Sequence, residues 1–285
     1  MRVAYNHAQY LAERAELMQW WANRLDALRA MGRDTGKPGD RRLRLRGKLI
    51  SMQQLGLGVY TLPDAGRLVG ASPASIKRWL FGYKYSKPSR ARKDYESEPL
   101  WLPQYAQHDL GERVIGFHDL LEIRIVREFI ARGVPLLVVR HCLDTAREIF
   151  KGDYPLTRRR FLTDGATIFD EATKGPDGES GLLDLRKRQF VFRTIIKDSL
   201  YAGIEYDGNN ARRWYPEGKS HAVVVDPEIQ FGHPIIERTG VPTRALYAAW
   251  LAEGKKRALV ARQYQVEPRD VDTAVRYEEK LRKAA

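Results

Sequence analysis

Leu62-Pro63-Asp64-Ala65-Gly66-Arg67-Leu68-Val69-Gly70-Ala71-Ser72-Pro73-Ala74-Ser75-Ile76-Lys77-Arg78-Trp79-Leu80 has the spacing of two short helices folded against each other. Such a pair needs a small residue where the helices cross, a turn residue that tolerates positive φ, and apolar residues facing inward. With Gly70 at the turn, the inward set is Ala65, Val69, Ala71, Ile76 and Trp79, and Gly66 falls at the crossing. Ser72, Ala74, Ser75, Lys77 and Arg78 then point outward from the second helix, the surface that would meet a DNA major groove.

The flanking sequence extends this cationic surface. From Lys77 to Lys93 there are seven Lys or Arg residues and no Asp or Glu, interleaved with Trp79, Phe81, Tyr83 and Tyr85. Cations neutralise phosphates and release counterions, while aromatics anchor the segment or stack on sugars. Gly82, Pro88 and Ser89 mark a turn, so the stretch is predicted to form a wing beside the recognition helix. The expected DNA-contacting residues are Ser72, Ser75, Lys77, Arg78, Lys84, Lys87, Arg90, Arg92 and Lys93. An upstream basic run, Arg41 to Lys48, reads as solvated surface, a short strand or a further phosphate-contacting arm.

Composition agrees with a polyanionic partner. The 285-residue chain carries a formal net charge of +13, which favours nucleic acid over membrane. The single Cys142 excludes a disulfide framework and a multi-cysteine zinc site, and its apolar neighbours predict a buried, inert thiol. No apolar run approaches the roughly 20 residues of a membrane span, and the N-terminus lacks a basic-then-apolar signal pattern. A cytoplasmic location is expected.

Beyond the wing, Phe117, Leu120, Leu121, Ile123, Ile125, Val126, Phe129 and Ile130 predict a helix ending at Arg132-Gly133. A second helix is expected from Pro135 through Val138, Val139, Cys142, Leu143, Ala146 and Phe150. On Tyr60-Thr61-Leu62, Ser75-Ile76-Lys77-Arg78-Trp79-Leu80, Phe117-His118-Asp119-Leu120-Leu121 and Ala131 to Leu136, residues 60–150 resemble the MerR-like winged helix-turn-helix family. That resemblance implies a dimer on a pseudo-palindromic operator. The wing here is longer and more basic than the family's. The long dimerising coiled coil and effector pocket of its sensing members are not evident.

Residues 151–223 are expected to form a small β-containing module. Arg158 to Thr163 and Ala166 to Phe169 flank Asp164-Gly165, which predicts a hairpin. Leu182-Leu183, Gln189 to Phe192, Tyr201 to Tyr206 and Ala222 to Val225 supply further short apolar segments.

A second helix pair is predicted over Ala258 to Ala274, with Ala261 at the crossing and Gln265 in place of the turn glycine. Val260, Tyr264, Val266, Val271 and Ala274 are expected inside, and Glu267, Arg269, Asp270 and Asp272 outside. Those acids would repel phosphates, so this pair is read as packing on protein. Upstream, Val224-Val225-Asp226-Pro227, Gly232-His233-Pro234-Ile235-Ile236 and Arg238-Thr239-Gly240-Val241-Pro242-Thr243 recur in order, with Thr243 a good helix N-cap. On these residues 224–280 resemble the small C-terminal domain of VapB-type antitoxins, with a departure at Arg238-Thr239-Gly240 from the family's glycine-first motif.

At the other end, Leu11, Met18, Trp21, Leu25 and Leu28 give residues 1–30 an amphipathic helical stripe, followed by a basic linker over 31–58. Ala4 to Arg14 with Trp20-Trp21 resembles the C-terminal tail of phage tyrosine recombinases, without that family's catalytic region. The block reads either as a fusion remnant or as an ordinary packing helix.

The expected fold is therefore α+β and mostly helical. It comprises a winged helix-turn-helix unit at 59–150, the β-containing module at 151–223, and a three-helix domain at 224–285 that includes the second helix pair. The resemblances imply an antitoxin that binds its own operator as a homodimer and neutralises a PIN-domain ribonuclease. The rival reading is a DNA-binding regulator without a toxin partner. Arg158 to Arg160, Arg186 to Arg188, Lys280, Arg282 and Lys283 are candidates to occupy the toxin's acidic centre. No enzyme, cofactor or metal site is expected: Asp270 and Asp272 face different directions on a helix, and the six histidines are scattered. His118 and His141 are expected to be packed or capping residues.

Overall fold

In the computed structural model the chain divides between Met52 and Gln53, and residues 58–87, 93–106, 113–174, 201 and 203–284 are described, all in the second unit. The N-terminal helix, nearly all of the basic linker, and the segments at 182–183 and 189–192 lie outside them. The fold is α+β. In chain order it runs β1 (Tyr60–Thr61), α1 (Leu62–Val69), α2 (Pro73–Phe81), β2 (Tyr83–Lys87), β3 (Lys93–Ser97), β4 (Val114–Ile115), α3 (Phe117–Ala131) and α4 (Leu136–Phe150). It continues with α5 (Phe161–Lys174), β5 (Ile204–Asp207), β6 (Asn210–Trp214), β7 (Val223–Val225), β8 (Pro234–Ile236), α6 (Thr243–Ala252), α7 (Arg257–Tyr264) and α8 (Pro268–Ala284).

Helix α3 is the central element. Apolar side chains surround it, so it is covered on several sides, and Phe117, Leu120, Leu121, Ile123, Ile125 and Val126 are all buried. Two carboxylates on it fasten neighbouring loops. Asp119 accepts from Gly116 N and Gln104 N, both at 2.9 Å, and from Trp101 Nε1 at 2.8 Å. Glu122, fully buried, accepts from Leu156 N and Thr157 N at 3.1 Å. Burial pushes its carboxyl up to about 8, against the pull of those bonds. Helix α4 follows after Gly133 and buries Cys142, whose thiol is pushed up by burial as expected of an inert core residue. His118 stacks on Tyr154 with ring centroids 5.3 Å apart.

The expected hairpin around Asp164-Gly165 is instead helix α5. Phe161, Gly165, Ile168 and Phe169 repeat at helical spacing and are all buried. Phe169 stacks on Phe129 of α3 with centroids 5.4 Å apart. An apolar face that can be buried on α3 and α4 outweighs the local turn preference of Asp-Gly.

The β-rich part is one antiparallel sheet in the order β5-β6-β7-β8, which continues across the 223/224 division expected from sequence. Glycine-led Gly208-Asn209 joins β5 to β6, and β7 pairs with β8 through Val223↔Ile236, Val224↔Ile235 and Val225↔Pro234. Strand β7 is the meeting line of three apolar clusters. Val225 joins the large core of α1 to α5, Val224 packs with Tyr215 and Ile235, and Val223 joins the core of α6, α7 and α8.

Three helices follow the sheet, α6, α7 and α8. Gln265 adopts φ 54° and ends α7, and Val260, Ala261, Val271 and Ala274 are buried. Two side chains depart from expectation. Tyr264, the last residue of α7, is exposed. Asp270 is buried: its carboxylate accepts from Glu267 N at 3.0 Å and from Arg238 at 2.5 Å, which caps α8. Thr243 opens α6 without making a cap bond; its hydroxyl donates to Glu278 at 2.6 Å and so ties α6 to α8.

Candidate nucleic-acid interface

Helix α1 is started by Thr61, whose Oγ1 accepts from Asp64 N at 3.2 Å, and stopped by Gly70 in the left-handed region at φ 69°. Gly70 N and Ala71 N both donate to Gly66 O, at 2.8 and 3.1 Å. A Cβ on Gly66 would lie 2.6 Å from Ala71 O, so only glycine lets the turn fold this tightly over α1. Helix α2 begins at Ser72, whose Oγ accepts from Ser75 N at 3.0 Å and lies 2.8 Å from Ser75 Oγ. Ala65, Val69, Ile76 and Leu80 fill the interface; Ala71 and Trp79 are only half-buried, so Leu80 takes the deep position expected of Trp79.

That packing leaves one face of α2 outside. Lys77 and Arg78 are exposed, along with Ala74 and Ser72, and the helix carries no acidic residue. Arg78 lies over the Tyr83 ring, 5.7 Å from its centroid. Ser72 and Ser75 sit on the same surface with their hydroxyls engaged in the cap.

The predicted wing is the hairpin β2–β3, in register from Tyr83↔Ser97 to Lys87↔Lys93. Gly82, at φ 67°, permits the return, since a Cβ there would lie 2.5 Å from Ser97 O. Tyr85 and Tyr95 are directly opposed and stack at 5.5 Å, and Tyr83 and Tyr85 are partly exposed. Lys84 is exposed, and Lys87 and Lys93 close the ladder. Arg90 and Arg92 lie outside the described residues. Strand β3 also brings acids that the Lys77–Lys93 window does not contain: Glu96 stands opposite Lys84.

The wing's base is fixed to the body. Leu100 N donates to Trp79 O at 2.7 Å, Arg140 donates to Glu98 O and Pro99 O, and Arg147 donates to Leu100 O. Sequence reasoning missed two cations near the helix pair. Arg113 lies over the Phe81 ring at 5.0 Å, and Arg127 donates to Gly70 O at 3.2 Å. Both come from segments distant in sequence, so no local pattern could have found them.

Of the cations expected to meet a toxin, Arg186 to Arg188 lie outside the described residues, and those within them are dispersed. Arg158 bonds backbone carbonyls of Asp153 and Phe150, Arg160 lies over Phe150, Arg282 lies over Tyr247, and Lys280 pairs with Glu217 at 2.8 Å. The Asp226-Pro227 motif is a packing turn: Asp226 is buried, pairs with Arg213 at 2.6 Å and accepts from Glu228 N. Among the described residues no group of three His, Cys, Asp or Glu side chains is placed to hold a metal ion, and no helix is long and apolar enough to cross a membrane.

No curated protein matches the chain. Among solved structures it is similar to Rv2018 from Mycobacterium tuberculosis, with a TM-score of 0.54 and 21% identity over 76% of this chain and 96% of that one. That likeness is one of fold. Residues 223–277, from β7 into α8, match the family described as protein of unknown function DUF433.

Proposed function

We propose that the chain binds duplex DNA through α2 and the β2–β3 wing, and that it acts as the autoregulating antitoxin of a type II toxin–antitoxin pair. The observation that carries the DNA reading is the exposed, acid-free face of α2 bearing Lys77 and Arg78 beside a basic hairpin. A helix of that width enters a major groove, where Lys and Arg read guanine edges and the wing's cations hold phosphates. In this reading two copies bind a palindromic operator, with half-sites about 34 Å apart or a multiple of that spacing. The antitoxin half of the proposal rests on the resemblance of residues 224–280 to VapB-type domains, and its target is a PIN-domain ribonuclease.

The DNA test is a fluorescence-anisotropy titration of the full chain against the sequence upstream of its own gene. The Lys77→Ala, Arg78→Ala double variant is expected to lose specific affinity by about 1–3 kcal/mol per base-reading contact while retaining its helical circular dichroism. An unchanged titration overturns the placement of the DNA face. The antitoxin test is co-expression with the adjacent reading frame. Rescue of growth with co-purification supports it; absence of both leaves a DNA-binding regulator without a toxin.

A further inference from the structure

The β2–β3 wing is two-sided, and its pairing register sorts the side chains. Tyr83↔Ser97, Lys84↔Glu96 and Tyr85↔Tyr95 are opposed across the ladder. Successive side chains of a strand leave from opposite faces, so Tyr83, Tyr85, Tyr95 and Ser97 share one face, and Lys84 and Glu96 share the other. The ring contacts agree with that division. Tyr83 and Tyr85 have centroids 5.7 Å apart, and Tyr85 stacks on Tyr95 at 5.5 Å. The cations and rings that alternate in the sequence are thus separated in space.

The tyrosine face continues the outward side of α2. Exposed Arg78 lies over the Tyr83 ring, 5.7 Å from its centroid, at one end of the row. A neutral ring attracts a cation without cancelling its charge, so the guanidinium remains positive at the surface. Helix α2 carries no acid, and the acid Glu96 stands on the wing's far side. Tyr83 and Tyr85 keep 38% and 39% of their surface exposed. Stacking across a hairpin would be served as well by phenylalanine. What tyrosine adds is a hydroxyl, a donor suited to phosphate oxygens.

We infer that the tyrosine row is the wing's contact with the sugar–phosphate backbone of duplex DNA. The rings of Tyr83 and Tyr85 lie against the deoxyriboses beside the groove that α2 enters, and their hydroxyls donate to phosphate oxygens. Lys84 and Glu96 face away from the duplex. This rests on the DNA reading above and assigns to it residues that a count of charges passes over. Backbone contacts of this kind fix the register of the recognition helix and carry no sequence information. A phenol is neutral, so they also displace no counterions, which separates them from lysine contacts.

The test is fluorescence anisotropy of the full chain across a salt series. Its probes are the duplex upstream of the gene, an unrelated duplex of equal length, and one strand of the first. The Tyr83→Phe, Tyr85→Phe double variant keeps the ring contacts and removes only the hydroxyls. It should bind both duplexes about tenfold more weakly and leave the slope of log affinity against log salt unchanged. Glu96→Gln should bind within about twofold of the parent, since its carboxylate is on the far face. If the Lys77→Ala, Arg78→Ala variant loses affinity while the phenylalanine variant binds like the parent, or loses affinity for the upstream duplex alone, the inference falls and the DNA reading stands. Tightening by Glu96→Gln beyond about twofold would turn the other face to DNA and overturn it as well. Tighter binding of the single strand than of the duplex would make the row a base-stacking platform instead. A parent chain that binds neither duplex overturns both.

Discussion

The helix pairs at 62–81 and 257–284 are built on one plan and present opposite chemistry. Each first helix ends in a left-handed residue, Gly70 at φ 69° and Gln265 at φ 54°. Each second helix begins with proline three residues later, at Pro73 and Pro268. Gly66 and Ala261 occupy the same place four residues before the turn, each accepting from two backbone N–H groups. Ile76 and Val271 are the matching buried residues. One position past them, Lys77 stands where the other pair has Asp272, which is spent on an ion pair with Arg257 at 2.9 Å. The fold of a helix pair is thus set by its turn and crossing residues, and its partner by the outward positions, which contribute little to packing.

The largest test of this comparison is at the crossing. Gly66→Val puts side-chain atoms where Ala71 O already sits and should cost about 3 kcal/mol, seen as a lowered denaturation midpoint. Ala261 carries the Cβ that Gly66 cannot, so a cost of under about 0.5 kcal/mol at Gly66 would show that the two crossings are equally open. Next come the caps. Asp270→Ala removes a buried cap that also holds Arg238 and should cost about 2 kcal/mol; Ser72→Ala removes an exposed cap and should cost about half as much. Equal losses in chemical denaturation would mean that the second pair is no better fastened than the first. The smallest effect is an exchange of turn residues. Gly70→Gln should destabilise by about 1 kcal/mol, and Gln265→Gly should recover a fraction of that amount by relieving a left-handed side-chain residue. Shifts of the same sign would break the equivalence of the turns.

Much of this was legible because the determining interactions are local. Gly70, Ser72-Pro73, Gly133 and the periodic apolar faces of α3 and α4 announce themselves within a helical turn or two. The failures share a tertiary cause. Asp164-Gly165 has strong hairpin chemistry, yet Phe161, Ile168 and Phe169 can be buried only if the segment is helical. Asp270 looked like surface until Arg238, 32 positions earlier, reached it. Strand β6, Asn210-Ala-Arg-Arg-Trp214, lacks a simple alternation: its buried residues Ala211 and Trp214 are three apart, across a register shift in its pairing with β5. At the candidate interface, Lys77 and Arg78 were readable from spacing alone, whereas Arg113 and Arg127 arrive from other elements.

Strand β7 has a consequence for how the molecule comes apart. Three consecutive valines each serve a different cluster, and nearby Gly232 accepts from the hydroxyl of Tyr60, fully buried at the entrance to α1. Peeling the C-terminal helices away would withdraw Val225 and the Tyr60 tether in the same motion. The C-terminal helices and the α1–α2 pair should therefore melt as one cooperative transition, and proteolytic removal of the tail would loosen that pair as well.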